Sequence, residues 1–423
     1  MSVLALTEAT DADRSVLGGK AWSIAHMLKL GVPVPPAFVI TTDECARFTL
    51  GGNVIPGDVL DALPAHVARL ETLTGSTFGR GPSPLLVSVR SGAPISMPGM
   101  MDTILNLGQT GDVTRAIADG TGDATFADDL MSRFREQFVH IVGCPPPNDR
   151  WEQLTMAIDA VFKSWHSRRA VSYRKEKGIP EHGGTAVTVQ AMVFGNRDPQ
   201  SGTGVLFSRD PLGRSAEPYG EWLPGGQGED VVSGRHDPLA LDELASALPA
   251  VHDELITLAK MLDDFAGCAQ DIEFTVQSGK LWLLQTRAAK THTHSGHTHS
   301  GTESEIASGR PACPGLARGV VVLDVDEAEE RAIAGEDIVL ARQTTSPDDV
   351  HAMAVVKAIL TEIGGATSHA AVVSRELQVP CIVGCGVGTV TALAGTNVIV
   401  DATSGRVFAQ DAAAAGTETA MSS

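Results

Sequence analysis

The sequence predicts a mixed α/β and α+β multidomain protein, and three features carry that expectation. Its 423 residues exceed what a single hydrophobic core usually organises. Short apolar stretches with strand character alternate with longer ones at helical spacing. Composition also shifts abruptly at 291–309 (THTHSGHTHSGTESEIASG), which is polar, rich in Gly, Ser and Thr, and without hydrophobic period. The expected layout is a first domain over 1–290 with a helical insert at about 110–180, a flexible His-rich linker at 291–309, a compact α/β domain at 310–411, and a disordered tail at 412–423. Twenty residues from Thr291 to Arg310 would span roughly 65 Å fully extended and about 25 Å as a coil.

The elements follow in order. Ala21–Leu30 carries apolar residues at helical spacing, and Gly31-Val-Pro-Val-Pro-Pro ends it. Ala37–Thr41 and Leu85–Arg90 have the composition of short strands, the second running into a Gly/Pro/Met-rich loop from Ser91 to Asp102. Helical patterns fill Phe126–Ile141 and Trp151–Lys175. From Thr185 strands return as TAVTVQAMVF and GTGVLFS, then DIEFTV and LWLLQTR about a Gln277-Ser-Gly-Lys280 turn, which predicts a hairpin. Beyond the linker, GVVVLDV, DIVLARQ, AILTEIG, VPCIVG and NVIVDA supply further strands with helices between.

Composition narrows the function. With 43% hydrophobic and 20% charged residues the chain is of ordinary globular type, and no apolar run approaches the length of a membrane helix. The N-terminus MSVLALTEATDADR is acidic where a signal peptide is basic, so the expected location is the cytoplasm. A net charge of −19 argues against binding a nucleic-acid backbone. The six cysteines match neither zinc-site nor CxxC spacing and are expected to be reduced and packed.

One segment stands out for chemistry, Gly364-Gly-Ala-Thr-Ser-His369-Ala-Ala-Val-Val-Ser-Arg375-Glu-Leu. A strand feeds a Gly-Gly turn, and Thr367 or Ser368 can cap a helix whose first turn holds His369. Unpaired N–H groups and the positive dipole end would stabilise a dianion there, and a neutral imidazole is a competent nucleophile toward phosphorus. Local physics leaves a plain capping histidine equally open. The stretch GGATSHAAVVSRELQVPCIVGC, however, closely resembles the phosphohistidine motif of the pyruvate phosphate dikinase family, with PACPGLARGVVV and TTSPDDV resembling the same swivelling domain. The resemblance implies an ATP-grasp-like nucleotide-binding domain followed by a swivelling phosphohistidine domain, and makes His369 the phosphorylated residue.

Four further segments gain roles from that resemblance. A Gly-rich loop after a strand can turn N–H groups toward phosphates, and Arg90 at the strand end can bind them bidentately. SVRSGAxxSMPGMMDTxLNLG resembles the family's nucleotide site and implies that Arg90 and the loop Met97, Pro98, Gly99, Met100, Met101, Asp102 and Thr103 hold ATP phosphates. Pro94-Ile95 departs from the family's usual Arg-Ala and removes a charge. Lys20, in Leu17-Gly-Gly-Lys20-Ala, takes the place of the family's ATP-binding lysine. The segment containing Gln190, Met192 and Val193 resembles the strand beside the adenine. In DIEFTxxxGKLWLLQTR, alternation puts Asp271 and Glu273 on one strand face and Gln285 and Arg287 on one face of the next. The resemblance makes Glu273 and Gln285 ligands of Mg²⁺, and Asp271 and Arg287 catalytic or phosphate-contacting residues alongside Arg90 and His369.

The implied reaction takes phosphoryl from ATP to His369 with release of AMP, involves inorganic phosphate or water, and passes phosphoryl to an acceptor. The family's pyruvate-binding barrel is not visible in these residues, so a separate barrel subunit binding pyruvate is expected. A stand-alone small-molecule kinase and a non-catalytic phosphocarrier stay open. A monomer is expected. His292, His294, His297 and His299 in the linker could take up Zn²⁺ or Ni²⁺, adventitious binding being the plainer reading.

Overall fold

In the computed structural model the described residues are 2–410 apart from 98, 182, 214, 233–235, 237, 291–297 and 302. They form two compact units, one of Met1–Ser201 with Phe274–Arg287, the other of Gly202–Glu273 with Ala288 onward. This division differs from the expected single break at the linker, because residues 202–273 group with the C-terminal region. The disordered tail expected at 412–423 lies outside the described residues.

The first unit is built on an antiparallel sheet in the order Val3–Ala5, Ala37–Ile40, Ala186–Ala191, Val87–Gly92, Thr103–Leu107. Every residue of Ala186–Ala191 is buried, as a central strand requires. The helix Arg14–Lys29 packs on this sheet and is capped by Asp13, whose carboxylate accepts the Ser15 N–H. Gly18 interrupts it at φ 71°, a conformation disfavoured for any other residue.

Four helices follow as Gly111–Thr121, Ala124–Val142, Arg150–Ser164 and Arg168–Glu176. Thr110, Asp123, Asp149 and Ser167 each cap one through a side-chain oxygen, worth about 1 kcal/mol apiece. Phe126, Leu130, Phe134 and Phe138 recur every fourth residue and are all buried, which is why this stretch is helical and docked. The helical pattern over Trp151–Lys175 folds as two helices, since Ser167 accepts the Ala170 N–H and restarts the helix after Ser164. In the hairpin turn, Ser278 and Gly279 both have positive φ, 51° and 74°, the pattern of a two-residue type I′ turn.

In the second unit, Gly202–Phe207, Tyr219–Pro224 and Leu239–Ala240 pair antiparallel, and the helices Leu241–Ala247 and Pro249–Ala266 follow. An eight-stranded sheet comes next, in the order Glu305–Ser308, Arg406–Ala409, Asn397–Asp401, Leu316–Val322, Ile338–Arg342, Ala358–Thr361, Cys381–Val383, Arg310–Cys313. Its middle is parallel and its flanks antiparallel. Val321, Val339, Leu360, Ile382, Val398 and Val400 form its core.

Glu305–Ser308 and Arg310–Cys313 sit at opposite ends of that order, yet only Gly309 separates them in sequence. One residue can bridge no more than about 7 Å, so the sheet curls until its terminal strands meet. The expected linker therefore ends early. Ile306 and Ala307 pack on the core, and a half-buried edge strand needs only that much apolar character. His299 is also seated, with its N–H on Asp401 at 3.0 Å and its ring 4.6 Å from Phe408. The other linker histidines lie outside the described residues.

Candidate functional site

His369 opens the helix His369–Leu377 after the N-cap Ser368, whose backbone is extended. The Ser368 hydroxyl makes no capping bond, contrary to the expected side-chain cap, and Thr367 is engaged elsewhere. His369 Nδ1 lies 3.0 Å from Thr345 Oγ1, while Nε2 is buried with no hydrogen-bond partner among the described residues. Burial lowers its pKa to about 4, and the nearby Asp349 carboxylate opposes the shift without cancelling it. The ring is therefore neutral at pH 7, and in the tautomer with the proton on Nδ1 its Nε2 lone pair is free. At ordinary hydration an imidazole with that lone pair would be solvated. Here it is not.

The turn before His369 is held by residues far away in sequence. Glu221, 2% exposed, accepts the N–H groups of Ala366 and Thr367 at 3.0 Å each, together with the Thr367 hydroxyl, and pairs with Arg310 at 3.2 Å. A Cβ on Gly365 would stand 2.3 Å from the Glu221 carboxylate, so a side chain there would have to push that carboxylate aside. On the helix's far side Arg375, itself buried, donates to the carbonyls of Ala366 and Ala312 at 2.9 and 3.1 Å. Sequence reasoning missed Glu221, for which the sole signal was an acidic residue inside the strand Tyr219–Pro224. It also missed Thr345, which lies within the TTSPDDV stretch.

In the first unit the sequence-predicted nucleotide residues gather around Arg90. Its guanidinium lies 3.4 Å from Gln190 Oε1 and 3.5 Å from Gln285 Oε1. Thr103 is its register partner on the adjacent strand, so the loop 93–102 leaves and returns beside it. Gly19 donates to the Ala93 carbonyl at 2.9 Å, docking the Lys20 turn on the same loop. A Cβ on Gly18 would fall 1.8 Å from the Gly92 carbonyl oxygen, which explains the glycine. Within the loop, Met97 and Met100 are buried, Gly99 takes φ 71°, and Met101 and Asp102 are half-buried. Pro98 lies outside the described residues. Arg14 donates Nε–H to the Pro94 carbonyl at 2.9 Å, so a guanidinium stands at this turn.

The remaining predicted residues are placed as follows. Met192 donates its N–H to the Leu86 carbonyl at 3.0 Å and its side chain packs with Phe194 against a buried cluster; Val193 is half-buried. Gln285 is 8% exposed and Arg287 half-buried, both in the first unit. Asp271 is 7% exposed and Glu273 half-buried in the second unit, between the core residues Ile272 and Phe274. Asp271 is thus not a solvated surface carboxylate. Among the described residues no three His, Cys, Asp or Glu side chains cluster to hold a metal.

The described residues thus include a glycine-containing loop docked on the Lys20 turn and a buried neutral imidazole at a helix start. Comparison with known proteins gives the family. The description "Pyruvate phosphate dikinase, AMP/ATP-binding domain" matches residues 14–57 and 50–244, and "PEP-utilising enzyme, mobile domain" matches 334–405. A pyruvate, phosphate dikinase of Rhizobium meliloti (strain 1021) is 35% identical over 95% of this chain and 56% of its own length. Those of Clostridium symbiosum and Entamoeba histolytica are 34% and 36% identical, over 96% and 90% of this chain and 57% and 53% of theirs. The chain belongs to the pyruvate phosphate dikinase family, and it spans little more than half the length of these relatives.

Proposed function

We propose that this chain carries out the ATP-consuming half of a dikinase reaction, with an ATP-grasp-like nucleotide site and a swivelling domain that bears His369. The observation that carries the reading is the buried Nε2 of His369, uncharged and unpartnered at the start of a helix. Nε2 attacks the β-phosphorus of ATP, the bond from that phosphorus to the α–β bridging oxygen breaks, and AMP leaves. Inorganic phosphate then takes the γ-phosphoryl as pyrophosphate, or water takes it as phosphate, and phosphohistidine remains. Thr345 holds Nδ1 and fixes the ring, while the helix N-terminus favours the dianion that arrives. Lys20, Arg90 and the 97–103 loop position the ATP phosphates; Asp271 and Arg287 act beside them. Gln190, Met192 and Val193 border the base.

Glu273 and Gln285 offer hard oxygen donors of the kind Mg²⁺ takes, an ion commonly held by one or two side chains plus substrate phosphates. When bound it would neutralise phosphate charge. The acceptor is pyruvate, as the relatives' name indicates, bound on a further domain or a separate subunit. Six free thiols fit a reducing cytoplasm.

The test is incubation with Mg²⁺ and ATP labelled at the β or the γ position, with and without inorganic phosphate. The expected outcome is an acid-labile, base-stable protein label and AMP, with the label absent in His369→Ala. A label that persists in that variant, or none in the unaltered chain, sinks the reading.

A further inference from the structure

We infer that Arg169, from the helical insert, is a positioning residue for the phosphate loop, and this inference rests on the functional reading above. Arg169 is the second residue of the helix Arg168–Glu176. Its Nε donates to the Met100 carbonyl at 3.3 Å, and its Nη2 pairs with the Asp102 carboxylate. The pair is mostly shielded, with side chains 28% and 20% exposed. The preceding helix adds a second tie, since the Asp102 N–H donates to Ser164 Oγ at 3.3 Å.

Two physical consequences follow for an anion at this loop. In a trans peptide the C=O and the next N–H point in opposite directions. A Met100 carbonyl turned to Arg169 therefore directs the Met101 N–H away from it, to the loop's other side. The second consequence is electrostatic. Asp102 would repel phosphate oxygens in the same loop, and the guanidinium neutralises it at short range without entering the substrate's own coordination. Arg169 thus supports nucleotide phosphates while touching only the protein. The break in the helical insert at Ser167 starts the helix that carries it.

The test compares MgATP and AMP binding by titration calorimetry for the unaltered chain, Arg169→Met, Arg169→Lys, and Arg168→Ala as a neighbouring exposed control. Thermal unfolding is recorded for each. Arg169→Met is expected to weaken MgATP on the order of tenfold, the cost of a lost charge-assisted pair, and AMP much less. Lysine restores the charge but not the fork, so Arg169→Lys should fall between, and Arg168→Ala should match the unaltered chain. Equal affinities in a folded Arg169→Met, or equal losses for MgATP and AMP together with a lowered unfolding midpoint, would overturn the inference. An unaltered chain that binds no MgATP would instead remove the functional reading, and this role with it.

Discussion

At the residue scale, the buried imidazole makes a pH prediction with a definite sign. His369 titrates near 6.5 when unfolded and near 4 when folded. Above pH 6.5 both states are neutral and the group contributes its full share of stability. As pH falls from 6.5 toward 4 only the unfolded state gains the proton, so stability falls, by about 3 kcal/mol once both are charged. Urea unfolding of the unaltered chain and of His369→Gln at pH 7 and pH 4.5 should show a smaller pH penalty in the variant. An identical penalty in both would mean that the ring is not buried as described. His369 itself was legible because its capping segment and helix are contiguous in sequence. Thr345 and Glu221, at the His369 turn, and Arg169, at the 97–103 loop, were not, since each reaches its contact from a distant segment, and contacts of that kind leave no local pattern.

At the scale of elements, legibility followed the strength of periodicity. The helix Ala124–Val142 was visible because Phe126, Leu130, Phe134 and Phe138, one every fourth residue, mark one face, and the Ser278-Gly279 turn because few residues other than glycine tolerate its dihedrals. The strand Glu305–Ser308 was hidden because its edge position demands only partial burial from Ile306 and Ala307 inside an otherwise polar stretch. Its connection, Gly309, allows a sharp test. A Cβ there would meet the Val383 carbonyl oxygen at 2.7 Å and Cys385 Sγ at 2.8 Å, and the Gly309 N–H is engaged by Gly405 at 2.8 Å. Gly309→Ala is expected to cost about 1–3 kcal/mol through overpacking, measured as a lowered urea midpoint. An unchanged midpoint would show that the sheet can open at this place without strain.

At the scale of the whole molecule, seating His299 and the strand Glu305–Ser308 shortens the stretch of chain left between anchored residues. Ala289 is bonded to Ala269 at 2.7 Å and His299 to Asp401 at 3.0 Å. The ten steps between them reach roughly 35 Å at full extension, little more than half of what the polar stretch alone suggested. Deleting residues 292–297 would leave under about 15 Å. His369 labelling from ATP is then expected to fall by at least about tenfold while MgATP affinity holds, as effective concentration collapses when a tether cannot span. Undiminished labelling would mean that no such travel is needed.

The curled sheet gives that short tether a particular character. Its last residues are stitched first along one rim and then, one glycine later, along the other. A pull arriving through the chain at Glu305 is therefore shared by both rims at once. His369 opens the helix that lies between two strands of that same sheet, Ala358–Thr361 and Cys381–Val383, so a load taken up at both rims reaches the imidazole through the sheet itself.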